Sequence, residues 1–320
     1  MNSQKKKRYS FATRVAGWTT AQALVGFTAI AGRWPDRFLP LLSRVLGSLS
    51  YYLLRERRTI GLKNIAIAWG DSIPAGQRQA IIKRVFKNIA LDLLEGVRTC
   101  VSPVRIATMD VSIEGKERLD NALKKGNGVI ALSAHVGNFP LITVKLASLG
   151  YPFWLIFKHP KNPRVTEIYY QWADQVSVKV IPYKPRRVCA RESLRVLNDN
   201  GIVMLLIDQN PRKRYGAYVE FFGHEVPTYT GPVVMAQRSG AALLPMFMHR
   251  GDDGSQVLTI LPELSLAQSG DRKTSITDSL RMINRLYEEW ITAYPDQWWW
   301  IHRRFRRARA IPQPRGNSPS

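Results

Sequence analysis

Gly128-Val129-Ile130-Ala131-Leu132-Ser133-Ala134-His135-Val136-Gly137-Asn138 passes from an unbroken apolar run into a polar, glycine-containing turn. A short apolar run of this kind reads as a strand buried on both faces. Pro140 to Leu149 then reads as a helix. A buried strand that hands over to a helix is the repeating unit of a parallel sheet covered by helices.

The same alternation continues downstream. Strands are expected at Phe153 to Phe157, Val178 to Ile181 and the strongly apolar Ile202 to Ile207, with helices at Val165 to Ala173 and Ala190 to Leu197. A strand around Tyr218 to Phe221, a helix from Pro232 to Arg238, strands near Leu243 to Met248 and Val257 to Leu261, and a helix from Ile276 to Ala293 complete the pattern. Upstream, Ile81, Ile82, Val85, Phe86, Ile89, Leu93, Leu94 and Val97 recur at helical spacing and predict an amphipathic helix over 77–101. The fold class is therefore α/β, with a mostly parallel central sheet and helices on both faces, and ligands sit beyond the carboxyl ends of such strands. Two polar clusters occupy strand ends: Ser133 to Asn138, and Asp208-Gln209-Asn210.

With 320 residues and 45% hydrophobic content the chain buries a sizeable core. The division expected is 1–58 as membrane-associated helices, 59–305 as the main domain, and 306–320 as a basic disordered tail. The net charge of +23 calls for polyanionic neighbours, whether nucleic acid, lipid headgroups or an acidic carrier protein. Nucleic acid finds no support, since zinc-finger spacing, RNA-binding aromatic motifs and basic-zipper heptads are all missing from the sequence. Cys100 and Cys189 lie far apart without a Cys/His cluster, which supports neither a zinc site nor a disulfide framework.

The basic head Lys5-Lys6-Lys7-Arg8 precedes Val15 to Gly32, an apolar stretch diluted by Thr19, Thr20, Gln22 and Thr28. Ala29-Ile30-Ala31 fits a signal-peptidase pattern, but the apolar core is longer and more polar-spotted than a signal peptide's. Arg33, Arg37 and Arg44 place positive charge on the far side as well, so the stretch is expected to lie in the membrane interface rather than span it. A second apolar run from Phe38 to Leu54 ends in Arg55, Arg57 and Arg58. Two such helices form a membrane dock; the alternative is that they pack on the domain core.

His135 emerges where the strand meets its turn, at the rim, with backbone N–H groups close by, a placement suited to proton transfer beside an oxyanion. Here the sequence resembles the lipid A lauroyl/myristoyl acyltransferases, within the glycerolipid acyltransferase superfamily. The resemblance runs through Ser133-Ala134-His135-Val136-Gly137-Asn138-Phe139, Lys158 to Arg164, Ile207-Asp208-Gln209, Val219-Glu220-Phe221-Phe222-Gly223, Thr230-Gly231 with Ser239-Gly240-Ala241, and Pro295 to Phe305. It implies a bacterial inner-membrane enzyme facing the cytoplasm, with His135 as general base on an acceptor hydroxyl. That hydroxyl attacks an acyl thioester of acyl carrier protein or coenzyme A, with no covalent enzyme intermediate and no metal or other cofactor. A glycolipid acceptor and a monomer complete the expectation.

The family's acid stands five residues after the histidine, where this chain has Pro140. Losing an orienting carboxylate costs orders of magnitude in rate unless another acid replaces it. Asp208 is the first candidate and Glu220 the second; the plainer readings are a turn cap for Asp208 and a solvated strand residue for Glu220. Substrate contacts are expected at Gly137, Asn138, Lys158, Arg164, Glu220, Phe222, Gly223, Arg303 and Arg304. Lys158, Lys161 and Arg164 suit phosphate groups of a lipid headgroup or carrier, or form a solvated charged turn. Trp298, Trp299, Trp300 and Phe305 among arginines suggest an interfacial belt; equally, some of these tryptophans belong to the core, while the arginines argue against a wholly buried motif. The competing reading is a catalytically degenerate lipid-binding protein on the same fold.

Overall fold

The computed structural model describes Gly26 and residues 35–101, 110–160, 162–211 and 216–310. The basic head, the stretch from Val15 to Gly32 except Gly26, Lys161 and the end of the tail from residue 311 lie outside the described residues. So do the expectations placed on them.

Helix α1 (Leu39–Leu53) is apolar on two faces. Leu39, Gly47 and Tyr51 pack inward, while Leu41, Val45, Leu49 and Leu53 are more than half exposed. Gly47 permits a close crossing, because a Cβ there would stand 2.6 Å from Lys87 Cα. Helix α2 (Arg55–Trp69) runs unbroken through the expected division at 58/59. Its Asn64 amide donates to the carbonyls of Trp300 and His302 at 2.6 Å each, which ties it to the far end of the chain. Helix α3 (Ala75–Val101) has the amphipathic character predicted from its spacing and buries Ile81, Ile82, Val85 and Phe86. Among the described residues no helix is long and apolar enough to cross a membrane.

The main domain then alternates: β1 (Val111–Glu114), α4 (Lys116–Lys124), β2 (Val129–Ser133), α5 (Pro140–Ser148), β3 (Phe153–Phe157), α6 (Pro163–Gln175), β4 (Lys179–Pro182), α7 (Arg186–Asn198) and β5 (Ile202–Leu206). There follow β6 (Gly216–Phe221), β7 (His224–Tyr229), α8 (Gly231–Ser239), β8 (Ala242–Arg250), β9 (Gln256–Ile260), α9 (Arg272–Ala293) and β10 (Arg309–Ala310). Among the described residues one sheet has the order β1-β9-β8-β2-β5-β3-β4 and a smaller one the order β10-β7-β6. In the large sheet every neighbouring pair is parallel except β8 with β9.

Side-chain alternation sends the two faces of this sheet into two cores. Ile130 and Leu132 of β2 join Val85, Phe86, Ile283 and Tyr287 on one side, whereas Val129 and Ala131 join Leu119, Leu141 and Leu146 on the other. The register places Ser133 of β2 beside Leu206 of β5, so the polar clusters that follow each strand emerge together.

For the block from Pro295 to Phe305 the structure selects the core alternative over the interfacial one. Trp298, Trp300 and Phe305 are 1%, 0% and 5% exposed, and Val136 bridges to Trp298. These rings are core, because the segment returns under the end of β2 instead of facing an interface. Of the expected disordered tail, Arg309 and Ala310 pair with β7 as a short strand.

Candidate active site

His135 and Asp208 follow adjacent parallel strands, and the structure brings them together: Nδ1 lies 2.8 Å from Asp208 Oδ1. The second carboxylate oxygen accepts the His135 backbone N–H at 3.1 Å and the Trp298 indole N–H at 2.9 Å. Asp208 is 1% exposed. Burial pushes its carboxyl up, but the His135 charge and these three hydrogen bonds outweigh burial and hold it at about 2. An ionised carboxylate on Nδ1 fixes the proton there and leaves Nε2 as the basic nitrogen. The His135 side chain is 17% exposed.

Gln209 is the neighbour of the imidazole that spacing did not single out. Its Nε2 stands 3.0 Å from His135 Nε2 and donates to it. The backbone amides expected to face an oxyanion are otherwise engaged: His135 N–H on Asp208, Val136 N–H on the Ala134 carbonyl at 2.8 Å, and Gly137 N–H on the Gln297 carbonyl at 3.0 Å. Rings of Phe139 and Trp299 close around the imidazole, with centroids 4.7 and 5.4 Å away.

Phe139 also forms one wall of an apolar cavity of about 340 Å³, bounded by Gly96 and Val97 of α3, Leu141 and Val144 of α5, and Trp172 of α6. Asp92 stands in the same wall. With Glu95 it shares the Arg250 guanidinium, at 3.0 and 2.7 Å. Burial raises the Asp92 carboxyl to about 7 despite that guanidinium, and the Glu95 charge adds to the rise. A second pocket, of about 660 Å³, is lined by Arg57, Asn210, Pro211, His302, Arg303, Arg306 and Arg307.

Several residues expected to contact substrate have identifiable structural roles. Asn138 is 1% exposed and donates to Glu95 at 2.9 Å. Gly137 has φ +53, and a Cβ there would meet the Met248 carbonyl oxygen at 2.4 Å, so close packing requires glycine. Phe222 and Gly223 both have positive φ and make the two-residue turn of the β6–β7 hairpin. Glu220 is exposed on β6, between the buried Val219 and Phe221, and does not reach His135. Arg304 is 0% exposed, donates to the Pro227 carbonyl and the Thr228 hydroxyl at 2.7 and 2.8 Å, and lies over the Phe221 ring. Lys158 and Arg164 are exposed near the end of β3 and the start of α6. Arg303 stays at the surface, paired with Glu56.

The family model for bacterial lipid A biosynthesis acyltransferases matches residues 4–307. The lipid A biosynthesis palmitoleoyltransferase of Escherichia coli (strain K12) is 25% identical over 278 residues, 85% of this chain and 86% of its own. The lipid A biosynthesis lauroyltransferase of the same organism is 23% identical over 275 residues, 83% of this chain and 85% of its own. A phosphatidylinositol mannoside acyltransferase of Mycolicibacterium smegmatis is 28% identical over 187 residues, 57% of this chain and 58% of its own. Among solved structures, the 1-acyl-sn-glycerophosphate acyltransferase of Thermotoga maritima aligns at a TM-score of 0.35 with 14% identity, over 78% of this chain and 96% of that one.

Proposed function

Because the chain belongs to the bacterial lipid A biosynthesis acyltransferase family, and so transfers an acyl group to a lipid acceptor, we propose that it carries a fatty acyl chain from acyl carrier protein or coenzyme A to a hydroxyl of a lipid A-like glycolipid. The observation that carries this reading is the His135–Asp208 pair, with Nε2 left basic, separated by the single ring of Phe139 from an apolar cavity.

In this mechanism the acyl tail lies in the apolar cavity and its thioester carbon reaches the imidazole. The acceptor hydroxyl gives its proton to Nε2 as its oxygen attacks that carbon. Asp208, ionised by its surroundings, keeps the ring in the right tautomer and stabilises the imidazolium. The tetrahedral intermediate carries a negative oxygen. With three nearby backbone amides engaged, the Gln209 side-chain amide is the donor placed beside the reacting atoms: one of its two N–H groups bonds to Nε2 only until that nitrogen is protonated. Collapse breaks the carbon–sulfur bond, and the departing thiolate takes the proton from the imidazolium.

The competing reading of a degenerate lipid binder drew its motive from Pro140. A carboxylate supplied from β5 removes that motive, since Nδ1 has its acid without one at position 140. Association with a membrane surface is proposed on α1, whose outward apolar face has no partner among the described residues.

The test is acyl transfer by purified protein in detergent, with labelled acyl carrier protein and acyl coenzyme A as donors and a panel of glycolipid acceptors. His135→Ala and Asp208→Asn are each expected to lower kcat by about a thousandfold or more. Transfer that survives His135→Ala would remove the histidine from the mechanism, and a wild type that binds lipid and transfers nothing would move the assignment to the degenerate reading.

A further inference from the structure

The second pocket gathers cations from distant parts of the chain. Arg57 comes from α2, and Arg303, Arg306 and Arg307 follow the buried Trp300, around a volume of about 660 Å³. Like charges brought together repel, and the arrangement persists only where something offsets them. Glu56 pairs with Arg303; no described carboxylate pairs with Arg57, Arg306 or Arg307.

The fold nevertheless pins this wall firmly. Arg57 donates to the Ile301 carbonyl at 3.3 Å, Asn64 to the carbonyls on either side of Ile301, and Asn210 to the Arg303 carbonyl. The pocket is also a near neighbour of the reacting histidine. Trp299 N–H bonds to the His135 carbonyl, and His302 N–H bonds to that of Trp299, each at 3.1 Å. Asn210 stands two residues beyond Asp208. An apolar cavity and a cationic pocket thus flank one imidazole.

We propose that this pocket binds a phosphoryl group of one of the two substrates, as a phosphate ester carried by the glycolipid headgroup or by the phosphopantetheine arm of the acyl donor. The inference rests on the acyl-transfer reading above. Planar guanidinium forks match phosphate oxygens two at a time, and several around one pocket fit either a doubly charged phosphomonoester of a headgroup or the singly charged diester of a carrier-linked arm. The volume suits a sugar-sized group bearing that phosphate rather than a bare ion. His302 adds no charge at neutral pH, since burial pushes its ring down to about 4, so the arginines alone set the field.

The probe is inorganic pyrophosphate, titrated calorimetrically into the full-length protein at physiological ionic strength. Wild type is compared with the double variant Arg306→Gln/Arg307→Gln, and with Arg187→Gln on the exposed side of α7 as control. The expected result is a Kd raised at least about tenfold in the double variant and unchanged in the control. Equal binding in all three, or an equal loss in the control, overturns the proposal.

Kinetics then identify the source. A KM rise of about tenfold for the acceptor alone, absent with a dephosphorylated acceptor, assigns the headgroup; a rise for the donor alone assigns the phosphopantetheine. Selective probe binding with neither KM moved means an adventitious ion only, and also overturns the proposal. Selective probe binding in a protein that transfers nothing leaves the phosphate site standing and sinks the acyl-transfer reading instead.

Discussion

Trp298 donates its indole N–H to Oδ2 of Asp208 at 2.9 Å, across 90 residues of sequence. That bond occupies one side of the carboxylate and leaves Oδ1 a single way to meet His135. Trp298→Phe removes the donor and keeps most of the buried ring. The expected outcome is a fall in kcat of about tenfold to a hundredfold, with KM for donor and acceptor nearly unchanged. An unaltered kcat in a folded variant would show that Asp208 needs no such brace.

Gly96 lies on α3 in the wall of the apolar cavity, with open space where a Cβ would stand. Gly96→Leu fills part of that space and favours the helix by about 1 kcal/mol over glycine. Each chain methylene denied burial forfeits about 0.8 kcal/mol, about fourfold in kcat/KM. The variant is therefore expected to prefer shorter acyl donors, with long-to-short selectivity falling about fourfold per methylene excluded. A series of acyl thioesters of increasing length measures this, and an unchanged profile would remove the cavity from chain selection.

Asp92 titrates in the native state at about 7, well above the ordinary carboxylate range, so between about pH 4 and pH 7 the folded chain binds more protons than the unfolded one. Its contribution to stability is therefore lost as pH rises through that window. Asp92→Asn has no such titration, and Arg250 retains Glu95 as a partner. The Tm of the variant minus that of wild type is expected to climb from pH 5 to pH 8. A flat difference would mean that the Arg250 pairing, and not burial, sets the protonation of Asp92.

Leu49 and Leu53 lie on the exposed apolar side of α1, 52% and 68% accessible, with Arg55 and Arg58 just beyond. Burial of a leucine in a bilayer surface contributes about 1.5 kcal/mol or more. Leu49→Glu/Leu53→Glu is expected to weaken flotation with anionic vesicles by about a hundredfold, while the inward residues Leu39 and Tyr51 keep Tm near the wild-type value. Undiminished vesicle binding would place the membrane contact elsewhere on the chain.

The strands that position the site were legible because β2 and β5 are unbroken apolar runs, and no helix-period pattern competes with them. Asp208 was legible for the same reason: carboxyl ends of parallel neighbours converge. Strand β7 was not, since Pro227 interrupts it; β10 covers only His224 and Glu225, so the missing N–H of Pro227 falls on an uncovered edge. The block around Trp298 and Arg304 stayed open between interface and core, and the burial of Arg304 went unforeseen, because aromatic rings beside arginines describe an interface and a buried cation over a ring equally well. Local pattern carries no information on which of the two a tertiary fold selects. The arginine pocket was hidden because Arg57 and Arg303 are brought together only by α2 folding against the end of the chain.

A base and its acid on one short loop assemble whenever that loop does. Here the two stand at the ends of separate strands, 73 residues apart, joined only by parallel pairing. Such non-local pairing is slow to form, because the intervening chain must be ordered first. A nascent or partly opened chain thus holds a solvated imidazole without its carboxylate. Chemistry becomes a property of the finished sheet, and the loss of turnover on mild heating or denaturant would time the parting of β2 from β5.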